Sequence, residues 1–440
     1  ISGIYWADPI GLVIGAWPIH TFFVFAAFAL GLTLLFTRGV PFRNHIIRLY
    51  AILWAILGAV SLLGFINAST WDFAAHISLY CFGAGAYAMN LCLLLERRPE
   101  FSRMLLWAVI AGGLCSAWSG LNQYFTGFEN TRDFIYQQEI KSGEKIVTGQ
   151  FATRLSESRV SADFTICNTY AGYLAAVFPV IIAMFWTLGG KVTPPLLSRI
   201  ILSVPFAALF LFLLKETGSR GGILAIGAGL IIVALVLKMP KKLRIMSLAA
   251  IPIMIAAFIT MVKMGRGFKS MEFRFDYFDS AVRMMFREPL TGVGWGDFFH
   301  EYTWTKHLVN TESPHSPHNF ILSLGSQCGV PGFIIASAVI LLPVAAGLFI
   351  LYRIFRQEKK DFEDIALKTA LNIGIVSWTV DSLLEINFET PGSTCTAIAL
   401  SLMLMSSPEF RVFNIRRIED SCGITAKHWR IGWLIFTAVS

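Results

Sequence analysis

Stretches of 18 or more predominantly apolar residues recur many times along this 440-residue chain. A helix of about 20 such residues crosses the roughly 30 Å hydrocarbon layer of a bilayer. The main solvent of the chain is therefore lipid, and its core lies between helices. The composition agrees: 55% of residues are hydrophobic and 15% charged, against roughly a quarter charged in soluble domains. A soluble globular protein and a single membrane anchor are both excluded. In a soluble domain the net charge of +8 and pI near 9.1 would raise nucleic acid as a partner. In a chain of spans the position of each charge matters more than the sum, and no nucleic-acid partner is expected. The seven cysteines form no CxxC pair, are odd in number and lie mostly in apolar stretches. They read as packing residues, with neither a disulfide framework nor zinc.

The runs predict spans near 19–37, 45–66, 72–95, 103–124, 168–188, 199–214, 221–237, 244–263, 330–352, 365–384 and 393–407. The fold class expected is thus an all-α polytopic membrane protein with about 11–12 transmembrane helices, its residues 1–440 forming a single integral membrane domain. Lys and Arg are retained on the cytoplasmic side of short connections. Arg38, Arg43 and Arg48; Arg97, Arg98 and Arg103; Lys191 and Arg199; Lys238, Lys241, Lys242 and Arg244; Arg353, Arg356, Lys359, Lys360 and Lys368; and the basic tail from Arg411 to Arg430 all fall in alternate connections. That set is read as cytoplasmic. The opposite set holds two short turns without Lys or Arg, 67–71 and 386–392, and two long polar segments. Those segments, 125–167 and a large loop over 264–329, are expected to be extracytoplasmic and to contain short helices. Their basic residues do not conflict with the rule, which long translocated loops largely escape. Parity places Ile1 outside, so a helix is expected upstream of it. The apolar run Ile431 to Ser440 reads either as an interfacial helix or as the start of another span.

Three polar segments on the outer side carry candidate chemistry. Lys215-Glu216-Thr217-Gly218-Ser219-Arg220-Gly221-Gly222 puts two cations in a tight external turn before a helix start. Free amides at a helix N-terminus together with a guanidinium suit a phosphate or diphosphate; the alternative is a pair of cations snorkelling to water. From Phe273 to Phe286, apolar Phe275, Phe278, Val282, Met285 and Phe286 recur at helical spacing. This predicts an amphipathic helix lying on the outer membrane surface. Its Arg274, Arg283 and Arg287 are further phosphate candidates, or else a solvated basic face paired with Asp276, Asp279 and Glu288. Third, Pro314-His315-Ser316-Pro317-His318-Asn319 leads into an apolar segment and Gly329-Val330-Pro331-Gly332. A histidine there suits a general base. The other readings are a capped helix start and, for the HxxH pair, a metal site lacking obvious further ligands.

The spacing of this last segment is specific. His318-Asn319, nine residues, then Gly329-x-x-Gly332 resembles a signature of bacterial O-antigen ligases, within the wider family of O-antigen ligases, O-antigen polymerases and protein O-oligosaccharyltransferases. Arg274, the amphipathic stretch and Pro289-Leu290-Thr291-Gly292-Val293-Gly294 resemble a second segment of that family. Ser219-Arg220-Gly221 resembles its S-R-G turn. The resemblance is motif-specific only from about 215 to 332; before that it rests on hydropathy.

The resemblance implies a GT-C-like helical fold in the bacterial inner membrane with an active site facing the periplasm. It implies transfer of a glycan from undecaprenyl diphosphate to a hydroxyl of lipid A-core oligosaccharide, inverting, with no metal and no other cofactor. Arg220 and Arg274 would bind the diphosphate and His318 would activate the acceptor hydroxyl. His315 is a second candidate for the base, Arg283 and Arg287 for the diphosphate, and Lys215 and Asn319 are further secondary candidates. Physically, a lipid diphosphate is already an activated leaving group. The protein has to align donor and acceptor, neutralise the departing charge and accept one proton. The donor tail would lie in a groove between helices with the long loops as a lid. The polymerase and the protein transferase differ in acceptor. A lipid or glycan transporter would place charges near the bilayer midplane and show internal symmetry; here polar residues concentrate on the outer side, with Asp381 and Glu385 among the few acids in or near a span.

Overall fold

The structure, a computed structural model, describes residues 44–142, 156, 158–164, 166–236, 269–307, 310–355 and 362–407. Every regular element among them is helical. In chain order these are α1 His45–Ser61, continued by a 3-10 turn Leu62–Phe65; α2 Trp71–Arg97; α3 Phe101–Asn122; α4 Phe128–Ser142; α5 Cys167–Gly189; α6 Pro195–Thr217; α7 Arg220–Val236; α8 Lys269–Arg287; α9 Phe298–Thr305; α10 Phe320–Ile354; α11 Phe362–Ser382; and α12 Pro391–Met405. Nine of the eleven expected spans coincide with helices. The two at 19–37 and 244–263, with the run 431–440, lie outside the described residues.

Among the described residues, six helical segments are long and apolar enough to cross a membrane: His45–Phe65, Trp71–Arg97, Phe101–Lys141, Cys167–Gly189, Pro195–Thr217 and Phe320–Ile354. Helices α7 and α12 are apolar but shorter. The chain is an all-α, multi-pass membrane protein. Helix α11 is more polar, carrying Glu363, Asp364, Lys368 and Asp381. It packs against α5, α7, α10 and α12, so protein rather than lipid surrounds much of it. That protection lets a helix with buried acids persist in such a bundle. The tight approach of α11 to α5 depends on Gly172, because a Cβ there would fall 1.9 Å from Asp381 Oδ2. Small residues at helix contacts let backbones approach, which is how bundles in lipid gain packing energy.

Two helix boundaries differ from the hydropathy reading. Helix α3 does not stop near 124. It passes through a π-helical turn, Gln123–Gly127, into polar α4. Hydropathy detects the end of an apolar run, whereas the backbone can go on hydrogen-bonding as a helix into water. Likewise α10 starts at Phe320, capped by Asn319 Oδ1 accepting from the Leu322 amide at 3.0 Å. The nine residues inside the His-Asn/Gly-x-x-Gly motif are therefore helical, and the motif glycines kink the helix. Gly329 has φ +72° and ψ −167°. A Cβ on it would meet the Pro289 carbonyl oxygen at 2.6 Å, and one on Gly332 would meet that of Leu324 at 2.3 Å.

That kink receives the Pro289–Gly294 segment. Val330 N donates to Pro289 O at 2.8 Å and Val293 N to Ser326 O at 2.9 Å. The same segment is gripped from the α1–α2 connection, where Asn67 Nδ2 donates to Gly292 O at 2.7 Å, Trp295 N to Gly64 O at 2.9 Å, and Ser69 N to Asp297 Oδ2 at 2.7 Å. The two glycine-containing motifs are thus halves of one joint. It fixes amphipathic α8 to the end of the bundle, where α8 packs along α10. Contacts at the other end join connections of the basic set: Asn44 Nδ2 donates to Met405 O at 2.8 Å, and Lys191 lies 4.0 Å from Glu363.

Gly329→Ala is expected to destabilise the protein by at least the roughly 1–3 kcal/mol of a residue forced into a sparsely populated backbone region, because its Cβ also overlaps Pro289. Thermal unfolding of the purified protein in detergent checks this, and a midpoint equal to wild type would contradict the joint.

Candidate active site

Glu385 follows α11 in the short connection to α12 and is buried. Its carboxylate gathers side chains from three distant parts of the chain. Arg274, from α8, forms a short ion pair with Oε1. Asn168 Nδ2, at the start of α5, donates to the same oxygen at 2.8 Å. His318 Nδ1 lies 3.5 Å from Oε2. Burial by itself raises a carboxyl pKa. Here His318, Arg274 and the Asn168 amide outweigh it and hold Glu385 below its ordinary value.

Local structure explains how His318 is aimed. It precedes the Asn319 cap of α10 with φ +53°, a left-handed conformation uncommon for a residue with a side chain. Asn319 also donates through Nδ2 to Leu383 O at 2.9 Å, tying the helix start to the Glu385 connection. The His318 ring stacks on Tyr277 of α8, centroids 5.8 Å apart, and Tyr277 hydrogen-bonds Glu312. Next to it, buried Asp276 accepts from Tyr302 OH at 2.6 Å and Asn310 Nδ2 at 2.9 Å. The segment leading to His318 is therefore laced to α8 and α9. For a second acid, Glu389, burial dominates over the lowering influence of Ser316 and His318 and pushes its carboxyl up.

The Ser219-Arg220-Gly221 turn borders the same cluster. Gly218, at φ +61°, ends α6, and Ser219 Oγ caps α7 by accepting from Gly222 N at 3.1 Å. Asp381, one helical turn before Glu385, is fully buried and hydrogen-bonded by Asn387. Its Oδ1 has no hydrogen-bond partner among the described residues and would stand 3.6 Å from a Cβ on Gly221. Arg220, exposed at the first position of α7, is therefore carried by a helix start lying against the acidic end of α11.

Arg274 and His318 thus meet at one carboxylate, with the Arg220 turn alongside. The other candidate cations have local partners. Lys215 pairs with Glu216 at 2.8 Å, Arg283 with Asp279 at 2.6 Å, and Arg287 with Glu301 at 2.8 Å. His315 is exposed and stacks on Phe299, centroids 5.0 Å apart. In the sequence Glu385 stands out only as an acid near a span. Its signal was an ionisable residue just past an expected span, four residues after another. Arg159 and Asn168 gave no signal, because neither stands in a recognisable motif.

The fold and site define a multi-pass, all-helical membrane protein with an arginine, a histidine and a carboxylate converging at one end of its bundle. Residues 205–337, under a third of the chain, match the family described as O-antigen ligase, and this supports membership of that family. The matched region carries Arg220, Arg274, His318 and the glycine joint. That match supports, in general terms, a lipid-linked glycan transferase of the ligase or polymerase type. No curated protein matches the chain.

Removing one member of a buried ion pair leaves the others uncompensated, typically at about 3–5 kcal/mol. Glu385→Gln is expected to lower the thermal midpoint accordingly. A lowered folded-state pKa contributes stability that is present above the ordinary carboxyl value and lost as pH falls through the folded value. Wild-type stability should therefore fall in that acid window, and the fall should be smaller in Glu385→Gln. Midpoints measured from pH 7 downward check both statements, and parallel curves for the two proteins would contradict the second.

Proposed function

We propose that this protein is an O-antigen ligase of the bacterial inner membrane, moving a glycan from undecaprenyl diphosphate to a hydroxyl of lipid A-core oligosaccharide on the periplasmic side. The observation that carries the proposal is the meeting of Arg274 and His318 on buried Glu385, inside the region that matches the family. In this reading 1–440 is one integral membrane domain, and its outer segments, 125–167 and 264–329, provide the substrate-facing surface beside the membrane lipids.

With Nδ1 3.5 Å from Glu385 Oε2, His318 keeps Nε2 for the acceptor. The acceptor hydroxyl gives its proton to Nε2 as its oxygen attacks the anomeric carbon. The bond from that carbon to the diphosphate oxygen breaks on the opposite face, which inverts the centre. Glu385 stabilises the imidazolium that forms, and the proton later leaves to water. Arg274 spends one N–H group on Glu385 and has others for a phosphate oxygen, since a guanidinium carries five donors. Arg220, with the α7 N-terminus behind it, supplies a second cation. Charge on the leaving diphosphate grows as the bond breaks, so fixed cations there stabilise the transition state more than the ground state. The step needs no nucleotide, metal or other cofactor. Of the remaining candidates, Asn319 acts by capping α10, while Lys215, Arg283, Arg287 and His315 lie outside the chemistry.

Reconstitution of the purified protein with undecaprenyl-diphosphate-linked glycan and separate acceptors tests this reading. Lipid A-core should be glycosylated, whereas elongation of the lipid-linked glycan would identify a polymerase and modification of a Ser or Thr peptide a protein transferase. His318→Ala should reduce transfer by about 10²–10⁴-fold, the usual worth of a general base. His318→Gly, which relieves the left-handed backbone, should be at least as stable as the alanine variant and equally inactive. Full activity in either removes His318 from the mechanism. Arg220→Ala and Arg274→Ala should each weaken donor handling by roughly a hundredfold. Transfer should survive thorough chelation, and strict dependence on an added divalent ion would return the HxxH pair to consideration.

A further inference from the structure

Arg159 belongs to none of the motifs, yet it bridges the two halves of the site. Its Nε donates to Thr217 O at 2.8 Å and its Nη2 to Asn168 Oδ1 at 2.8 Å. The neighbouring amide of Val160 donates to Glu216 O at 3.0 Å, so the 158–164 strap is stitched to the end of α6 at two adjacent carbonyls. The strap is anchored on its far side by Gln123 Oε1, which accepts from the amides of Ser161 and Ala162 at 2.8 Å each, and by Arg132, which donates to Ser158 Oγ. Gly218 leaves the room that Arg159 occupies, since a Cβ there would stand 3.0 Å from Nε.

From Arg159 the hydrogen bonds run on without a gap. Asn168 accepts from Arg159 through Oδ1 and donates through Nδ2 to Glu385 Oε1, the oxygen that also holds Arg274. The Ser219-Arg220-Gly221 turn begins two residues after Thr217. A planar guanidinium with donors in a fixed fork is suited to setting the spacing of two acceptors, and an ammonium is not.

We propose that Arg159 is a positioning residue for the diphosphate site: through Thr217 and Asn168 it locks the Arg220 turn at a set distance from the Arg274–Glu385–His318 cluster. It makes the two cations one receptor for a single diphosphate and acts without touching the reacting atoms. The inference rests on the diphosphate reading of Arg220 and Arg274.

The test is a double-mutant cycle on the full chain, reconstituted with undecaprenyl-diphosphate-linked glycan and lipid A-core. Arg159→Ala and Asn168→Leu should each raise the KM for the donor about ten- to a hundredfold, the scale on which small misplacements cost catalysis. The KM for the acceptor should stay near wild type. The double variant should be no worse than the worse single one, because both cut the same link. Arg159→Lys should fail to restore donor KM. A wild-type donor KM in Arg159→Ala, losses that multiply in the double variant, or full rescue by lysine would each overturn the proposal. If Arg159→Ala does not accumulate as folded protein, Asn168→Leu reads the link from its other end, and an unchanged donor KM there overturns it equally. Arg274→Ala and His318→Ala run alongside separate the two levels. Activity retained in both discards the underlying diphosphate reading, whereas their loss beside a wild-type Arg159→Ala discards only the role of Arg159.

Discussion

An ionised carboxylate taken out of water costs several kcal/mol unless cations and hydrogen-bond donors replace its hydration. Glu385 is such a group, its side chain 1% exposed. Its requirement for partners draws Arg274 from α8, His318 from the start of α10 and Asn168 from the start of α5 to one point. None of these helices has a local reason to bring its end there. The acid works as a clamp whose jaws include both Arg274 and His318, the groups proposed to act on the substrates.

The rest of that end of the bundle can be understood as what keeps the clamp rigid. The joint between the Gly329 kink and the Pro289–Gly294 segment fixes α8, and therefore Arg274, relative to α10. Asn319 fixes the α10 start to the α11–α12 connection, and therefore His318 to Glu385. Asp381 and the glycines facing it let α5 and the start of α7 close on α11, which brings the Arg220 turn alongside. Each joint is made of backbone groups or short side chains, and these lose little rotamer entropy when ordered. Catalytic groups mounted this way need little reorganisation when charge develops on a leaving group.

The left-handed backbone of His318 belongs to the same logic. Strain of this kind persists only where the surroundings over-determine a conformation. Here the Asn319 cap, the stacking on Tyr277 and the approach to Glu385 all do so. An ordinary capped helix start and the proposed general base are thus the same structural feature, and the capping is what aims the ring.

Hydropathy alone determined that the chain is a bundle of helices in lipid, where most of those helices lie, and which connections share an end. The cost of burying unsatisfied backbone or charge in hydrocarbon leaves few other solutions. The motifs were legible too, because glycine joints and the residue before a helix cap have local requirements that restrict residue type at fixed spacing. What the linear chain could not display is which polar groups are partners. Arg274 and Glu385 are separated by 111 positions and Asn168 and Glu385 by 217, and nothing in a local window marks one acid or amide as the counterpart of another. Hydropathy also missed the helical run from α3 into α4 and the early start of α10, since backbone hydrogen bonding continues where apolar character stops. Tertiary packing alone decided that Arg283 and Arg287 face nearby acids while Arg274, on the same helix, faces the buried one. The distinction arises from the direction in which α8 is held, and that direction is set by contacts with α10.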